Sequence, residues 1–184
     1  MRTVTFGMNI SIDGCYDHTK FNGDEEIHQY FADLAHDVDL VVYGRKMYDL
    51  IVPYWTEVAK TQSGTAAGNA FAQTVVDVDK IVFSRTLQSV EGNTRIVRDN
   101  LEAEILDLKQ QPGKKISIAG VSLRSQLMAL GLVDEMHIVI HPVIIGERKK
   151  LMEDFPLPEK LNWKLVDAKV FKSGCVGLHY VKGW

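Results

Sequence analysis

What most constrains this chain is a strand pattern that repeatedly runs into a helix pattern across a junction of small or polar residues. From Thr3 to Ile12, Val4, Phe6, Met8, Ile10 and Ile12 alternate with Thr3, Thr5, Gly7, Asn9 and Ser11, the period-two signature of a strand. Its second face is small enough for another element to lie against it. A polar stretch from Asp13 to Gly23 follows. Ile27, Tyr30, Phe31 and Leu34 then recur at helical spacing behind Asp24, Glu25 and Glu26, which supply a cap and first-turn charge. Leu40 to Tyr43 reads as a strand ending at Gly44, and Arg45 to Leu50 opens a second helix. Val52 to Asn69, with Pro53, Ser63-Gly64 and Gly68, reads as a long loop before a short helix over Ala70 to Val76.

Further strands are expected at Lys80 to Ser84 and Arg95 to Val97. Asp99 is expected to cap a helix carrying Leu101, Ile105, Leu106 and Leu108 that Pro112-Gly113 closes. Ile116 to Ala119 is the next strand, and Ser122 to Leu130 a helix stopped by Gly131. Glu135 to His141 is a strand, and Leu165 to Phe171 and Val176 to Val181 form a hairpin around Ser173-Gly174. The pattern predicts one domain over residues 1–184. Its class is an α/β three-layer sandwich: a mixed, mostly parallel central sheet, helices on both faces and a C-terminal antiparallel hairpin.

A formal net charge of −3 argues against a surface built to neutralise a long run of nucleic-acid phosphates. The basic cluster Arg148-Lys149-Lys150 reads as a solvated loop. Cys15 and Cys175 form no CxxC pair or staple framework, as expected for reduced thiols in the cytoplasm. No leader or membrane-spanning run is expected.

Ligands of open α/β sheets bind outside the carboxyl ends of strands. That places interest on Ser11-Ile12-Asp13-Gly14, Gly44-Arg45-Lys46, Ser84-Arg85-Thr86 and Ala119-Gly120-Val121-Ser122. Gly44 lets the backbone turn tightly into a helix whose free N–H groups and positive end can receive a phosphate, and Arg45 and Lys46 add charge. Gly120 and Ser122 offer the same at another helix start. Neither GxGxxG nor GxxxxGK[ST] occurs. Each junction alone is ordinary turn punctuation; their joint occurrence carries the functional reading.

Taken in order, four segments resemble the dihydrofolate reductase superfamily, in the branch of the reductase domain of bifunctional riboflavin deaminase-reductases. They are Ser11-Ile12-Asp13-Gly14, Gly44-Arg45-Lys46-Met47-Tyr48, Lys80-Ile81-Val82-Phe83-Ser84-Arg85-Thr86-Leu87, and Gly131-Leu132-Val133-Asp134-Glu135 running on to His141-Pro142-Val143-Ile144-Ile145-Gly146. The resemblance implies an NADPH-dependent oxidoreductase. It implies that Gly44, Arg45, Lys46 and Met47 line the cofactor phosphates, and that Ser84, Arg85 and Thr86 lie near the adenosine ribose and its 2′-phosphate. It also implies that Ala119, Gly120, Val121 and Ser122 hold the pyrophosphate. A guanidinium's bidentate grip on a phosphate would favour NADPH over NADH. The chain departs from the family pattern twice, with Ala119-Gly120 where a Gly-Gly pair is usual and Glu147-Arg148-Lys149-Lys150 where a second Gly follows Gly146.

Hydride transfer is the cofactor's chemistry, so few protein groups are required. The catalytic candidates are Asp13, to orient substrate or relay a proton, and Glu26, spaced from Ile27 and Tyr30 like the substrate-binding acid of dihydrofolate reductases. Both also suit plain turn and cap chemistry. Pro53-Tyr54-Trp55 is a candidate aromatic wall. His137 and His141 share a strand face, but no third ligand sits at a recognisable spacing, so no metal is expected. The resemblance points to 5-amino-6-(5-phosphoribosylamino)uracil reduction, with pterin reduction as a second substrate class, although no Pro-Cys-x-x-Cys deaminase signature is present. A different class remains open, a catalytically silent dimeric nucleotide-binding protein. Self-association through the sheet edge or the C-terminal strands is implied by the resemblance.

Overall fold

The computed structural model describes residues 1–21, 24–147, 149–151, 157 and 159–183. Arg148 of the basic cluster and Gly23 lie outside them. Among the described residues eight strands form one sheet in the order β4-β3-β2-β5-β1-β6-β8-β7. They are β1 (Val4–Ser11), β2 (Val38–Gly44), β3 (Asp79–Phe83), β4 (Thr94–Val97), β5 (Lys115–Ala119), β6 (Glu135–His141), β7 (Trp163–Val170) and β8 (Val176–Lys182). The first six run parallel; β8 is antiparallel to both β6 and β7. Among the described residues the α-helices are α1 (Glu25–Ala35), α2 (Arg45–Thr61), α3 (Ala66–Asp77), α4 (Leu101–Gln110) and α5 (Val121–Ala129). The sheet is thus mostly parallel and clothed on both faces, as the alternating pattern requires.

Strand alternation divides the core. Val4, Phe6, Val42, Ile81, Ile116 and Ile138 point to the face packed by Ile105 and Leu108 of α4 and by Leu123, Leu127 and Met128 of α5. Tyr43 and Val82 point to the other face, with Tyr48 and Val52 of α2 and Val75 of α3. Val139 meets Ile27 of α1 there, together with Phe171 and Cys175. The small face of β1 is therefore covered by α1. Ile12, assigned to the apolar face of the strand, is instead 62% exposed, because the strand ends at Ser11 and the chain turns to bond Ile12 N–H to the Val143 carbonyl.

The expected loop from Val52 to Asn69 is mostly helix. α2 continues through Pro53 to Thr61, since Tyr48, Val52 and Val58 recur on its buried face and that burial outweighs the hydrogen bond proline removes. It stops at Gln62, whose left-handed φ of 53° lets its N–H bond the Val58 carbonyl. Thr65 then caps α3 by accepting from Gly68 N–H. Trp55 packs edge-on against Tyr54 and against Phe71 of α3 at 4.8 Å, so this aromatic group joins two helices. The cap of α4 is Asn100 at φ 53°, ψ 47° and not Asp99; asparagine tolerates that left-handed geometry better than most residues.

α5 ends as its glycine predicts. Gly131 takes φ 66°, its N–H bonds the Met128 carbonyl, and Leu132 N–H reaches back to Leu127. Two buried ammoniums brace the lower rim. Lys109 meets Asp134 Oδ2 at 2.5 Å, and Lys80 donates to the carbonyls of Val75, Val76 and Val78 and to Asn93 Oδ1. Cys15 and Cys175 are buried free thiols. Among the described residues no helix is long and apolar enough to cross a membrane.

Candidate functional site

β3, β2 and β5 are neighbours, and their carboxyl ends finish almost level: Gly44 pairs with Phe83, and Tyr43 with Ala119. The next residues along, Ser84, Arg45 and Gly120, therefore leave three adjacent strands at one rim. Gly120 has φ 132° and ψ 131°, backbone that L side chains rarely adopt. A β-carbon there would lie 3.2 Å from Gly44 N and 3.4 Å from Gly44 Cα. The amino ends of α2 and α5 are thus side by side. Neither has a side-chain cap, whereas α1 and α3 are capped by Asp24 and Thr65. First-turn N–H groups with no side-chain cap among the described residues, at the positive ends of two helices, make a cradle for anions.

The side chains around this cradle are placed as follows. Met47 packs beside Gly120, and Lys46 and Ser122 are exposed. Arg45 bridges back to Asp49 one turn along, Nε to Oδ2 at 2.5 Å, with 38% of its side chain exposed. Ser84 Oγ is buried and accepts from the N–H groups of Thr86 and Leu87, so it shapes the loop and keeps its own proton to donate. Arg85 projects from that loop into solvent. Arg98, at the end of β4, donates to the carbonyls of Ser84 (3.2 Å) and Leu87 (2.7 Å) and braces the loop from behind. The sequence reading passed over Arg98, because only the β3–β4 pairing brings it there.

At the ends of β1 and β6 the Asp13 carboxylate accepts from Ser11 Oγ at 2.5 Å and from the N–H groups of Ile145 (3.1 Å) and Gly146 (2.9 Å). These bonds hold its pKa down at about 2, the serine contributing most. Asp13 ties the loop after β6 to the end of β1. His141 Nε2 bonds Asn9 Oδ1 at 2.9 Å, Cys175 Sγ lies 3.4 Å from His141 Nδ1, and Phe21 stacks on the imidazole at 4.4 Å. Burial pushes the His141 pKa down, against a weaker upward pull from Asp24. Glu26 belongs to another network. Its Oε2 accepts from Lys172 N–H at 3.0 Å, and Lys169 Nζ lies 3.8 Å from Oε1, beside the β7–β8 turn.

Arg124 was also missed. It is the fourth residue of α5, 5% exposed, with its guanidinium over the rings of Phe6 (5.2 Å) and Tyr16 (5.9 Å) and Nη1 3.1 Å from Met8 Sδ. Nε and Nη2, which form one edge of the planar fork, are buried without a hydrogen-bond partner among the described residues. Burial lowers its pKa to about 10. The only sequence signal was a charge among the apolar residues of that helix. Two surface cavities, one lined by Met128, Gly131, Trp163 and Lys182 and one by Arg2, Asp39, Lys80 and Thr94, lie at the opposite rim and hold none of the candidates.

The sequence profile of the RibD C-terminal domain matches residues 2–176. The uncharacterized protein YyaP of Bacillus subtilis (strain 168) is 34% identical over 151 residues, covering 82% of this chain and 77% of that protein. The crystal structure of a pyrimidine reductase-like protein from Corynebacterium diphtheriae superposes with a TM-score of 0.68 at 17% identity, over 100% of this chain and 92% of that one. That of a diaminohydroxyphosphoribosylaminopyrimidine deaminase/5-amino-6-(5-phosphoribosylamino)uracil reductase from Thermotoga maritima gives 0.66 at 15% identity, over 99% of this chain and 57% of that one. These structures share the dihydrofolate reductase-like fold; with the profile match across nearly all its length, the chain belongs to the RibD C-terminal domain family.

Proposed function

We propose that the protein is a cytoplasmic, NADPH-dependent reductase of a heterocyclic small molecule, most like 5-amino-6-(5-phosphoribosylamino)uracil. The observation that carries this reading is the contact of Gly120 with Gly44, which joins two uncapped helix ends into one anion cradle. The donors present suit a phosphorylated dinucleotide. Gly44, Arg45, Lys46 and Met47 with Ala119, Gly120, Val121 and Ser122 would hold its pyrophosphate, and Ser84, Arg85 and Thr86 its adenosine 2′-phosphate. Bound there, the cofactor supplies the hydride.

The protein's own part is orientation. Asp13, held anionic, fixes the rim loop against the end of β1 and orients substrate. The buried edge of Arg124, which has no hydrogen-bond partner among the described residues, carries two parallel N–H donors that suit a pair of acceptors such as those on a pyrimidine or pterin edge. Glu26 would act on substrate only through the turn it holds, as a positioning residue. The exposed Leu165, Val166 and Val170 of the outermost strand β7 support self-association into a homodimer. The likeness to a pyrimidine reductase-like protein of Corynebacterium and to a 5-amino-6-(5-phosphoribosylamino)uracil reductase of Thermotoga favours a pyrimidine over a pterin.

The test is titration of wild type and Arg85→Ala with NADPH and NADH, beside NADPH oxidation with pyrimidine and pterin substrates. Loss of a charge-assisted phosphate contact, about 1.5–3 kcal/mol, should weaken NADPH binding by roughly tenfold or more and leave NADH unchanged. Equal loss for both cofactors would overturn the 2′-phosphate role. NADPH binding without turnover of any such substrate would favour the catalytically silent alternative.

A further inference from the structure

The geometry points to a divalent transition-metal site formed by Glu135, His137 and His179, distinct from the cofactor rim. Glu135 and His137 lie two apart on β6 and so share a face. His179 on β8 is paired directly opposite His137. The Nε2 atoms of His137 and His179 lie 4.0 and 3.8 Å from Glu135 Oε2, and the three ligand atoms fall within 4.8 Å of one another. Zinc–ligand bonds of about 2.0–2.2 Å place tetrahedral ligands roughly 3.3–3.6 Å apart. Side-chain rotation alone can therefore close the triangle.

Two observations separate this cluster from an incidental one. The Tyr30 hydroxyl bonds His137 Nδ1 at 3.0 Å, the outer-shell contact that orients an imidazole and leaves Nε2 as its ligand atom. His179 Nε2 is buried and has no hydrogen-bond partner among the described residues. Both rings are stacked at 4.1 Å and 16°, so their Nε2 edges face the same carboxylate. Two imidazoles and one carboxylate suit zinc, cobalt or nickel, whereas calcium and magnesium prefer all-oxygen shells. A fourth position is left for water or another donor.

Lys115 makes the site diagnostic. Its Nζ lies 2.8 Å from Glu135 Oε2, so a metal must share or displace that ammonium. Removing the lysine should tighten binding, an effect no purely structural role for these residues produces. Glu135 begins β6, at the far end from the cofactor cradle, so the proposal stands whatever the chain reduces.

The experiment uses tag-free, chelator-stripped full chain, titrated with Zn²⁺ against a chromophoric chelator and with Co²⁺ followed by its visible absorption. We expect one equivalent bound, at least about tenfold weaker binding in His179→Gln and in His137→Gln, and tighter binding in Lys115→Met. Circular dichroism of each variant shows that it is folded. No stoichiometric binding by the wild type at micromolar metal, or binding insensitive to both histidine substitutions, overturns the site.

Discussion

Phe31 of α1 rests on the bare α-carbon of Gly7 in β1, so that a β-carbon there would sit 2.7 Å from Cε1 and 3.0 Å from Cδ1 of the ring. The helix can lie this low over the central strand because the position is glycine. Gly7→Ala should cost about 1–3 kcal/mol by overpacking, read by urea denaturation. Adding Phe31→Leu to that variant should recover part of the loss. If the two changes simply add, the contact is not the cause.

Gly120→Ala should abolish tight NADPH binding while the chain still folds. Holding alanine at φ 132° costs about 1–3 kcal/mol and brings a methyl group against Gly44 N. The chain relieves this by parting the two helix ends. Dinucleotide titration beside a thermal melt checks it; undiminished affinity counts against the cradle.

Arg98→Ala should leave global stability within about 0.5 kcal/mol, since the side chain is exposed. Locally it releases the carbonyls of Ser84 and Leu87. Amide exchange at Thr86 and Leu87 should rise roughly tenfold or more, with weaker NADPH binding. Unchanged exchange there would remove Arg98 from the site.

Arg124→Met should raise stability and lower turnover together. The guanidinium is buried with one edge unpaired among the described residues, and replacing poorly paired buried charge by an apolar side chain is often stabilising by about 1–4 kcal/mol. A variant as active as wild type would deny Arg124 a ligand.

His141 predicts an acid slope. Its folded pKa lies below 6.5, so on acidification the unfolded chain takes up the proton first. Its contribution to stability is therefore complete above pH 6.5 and is lost as pH falls toward the folded value. The added proton would sit on Nδ1, facing the Cys175 thiol. Burial likewise depresses His137, to about 4, so His141→Gln should flatten the Tm profile between pH 6.5 and 4 without abolishing it. An unchanged profile would rule His141 out.

The strand ends were legible because a glycine or serine between an apolar run and a helical period is local information, and Gly44, Ser84 and Gly120 needed nothing more. The path of α2 past Pro53 was not legible, because proline's cost is local while the burial of Val52 and Val58 that outweighs it is tertiary. His137 was grouped with His141 by spacing along one strand; its partner His179 is supplied by a β6–β8 register that no short motif encodes. Arg124 and Arg98 escaped for the same reason, since a lone cation in a sequence window carries no sign of what it faces.

β1 lies between β5 and β6, so its register is set by residues 115–141. During synthesis β1 can meet α1 soon after it leaves the ribosome, but more than a hundred further residues must follow before both strands that pair with it are present. Pairing of the central strand is therefore non-local, the kind of contact that slows folding and leaves strand edges exposed until the middle of the chain is complete.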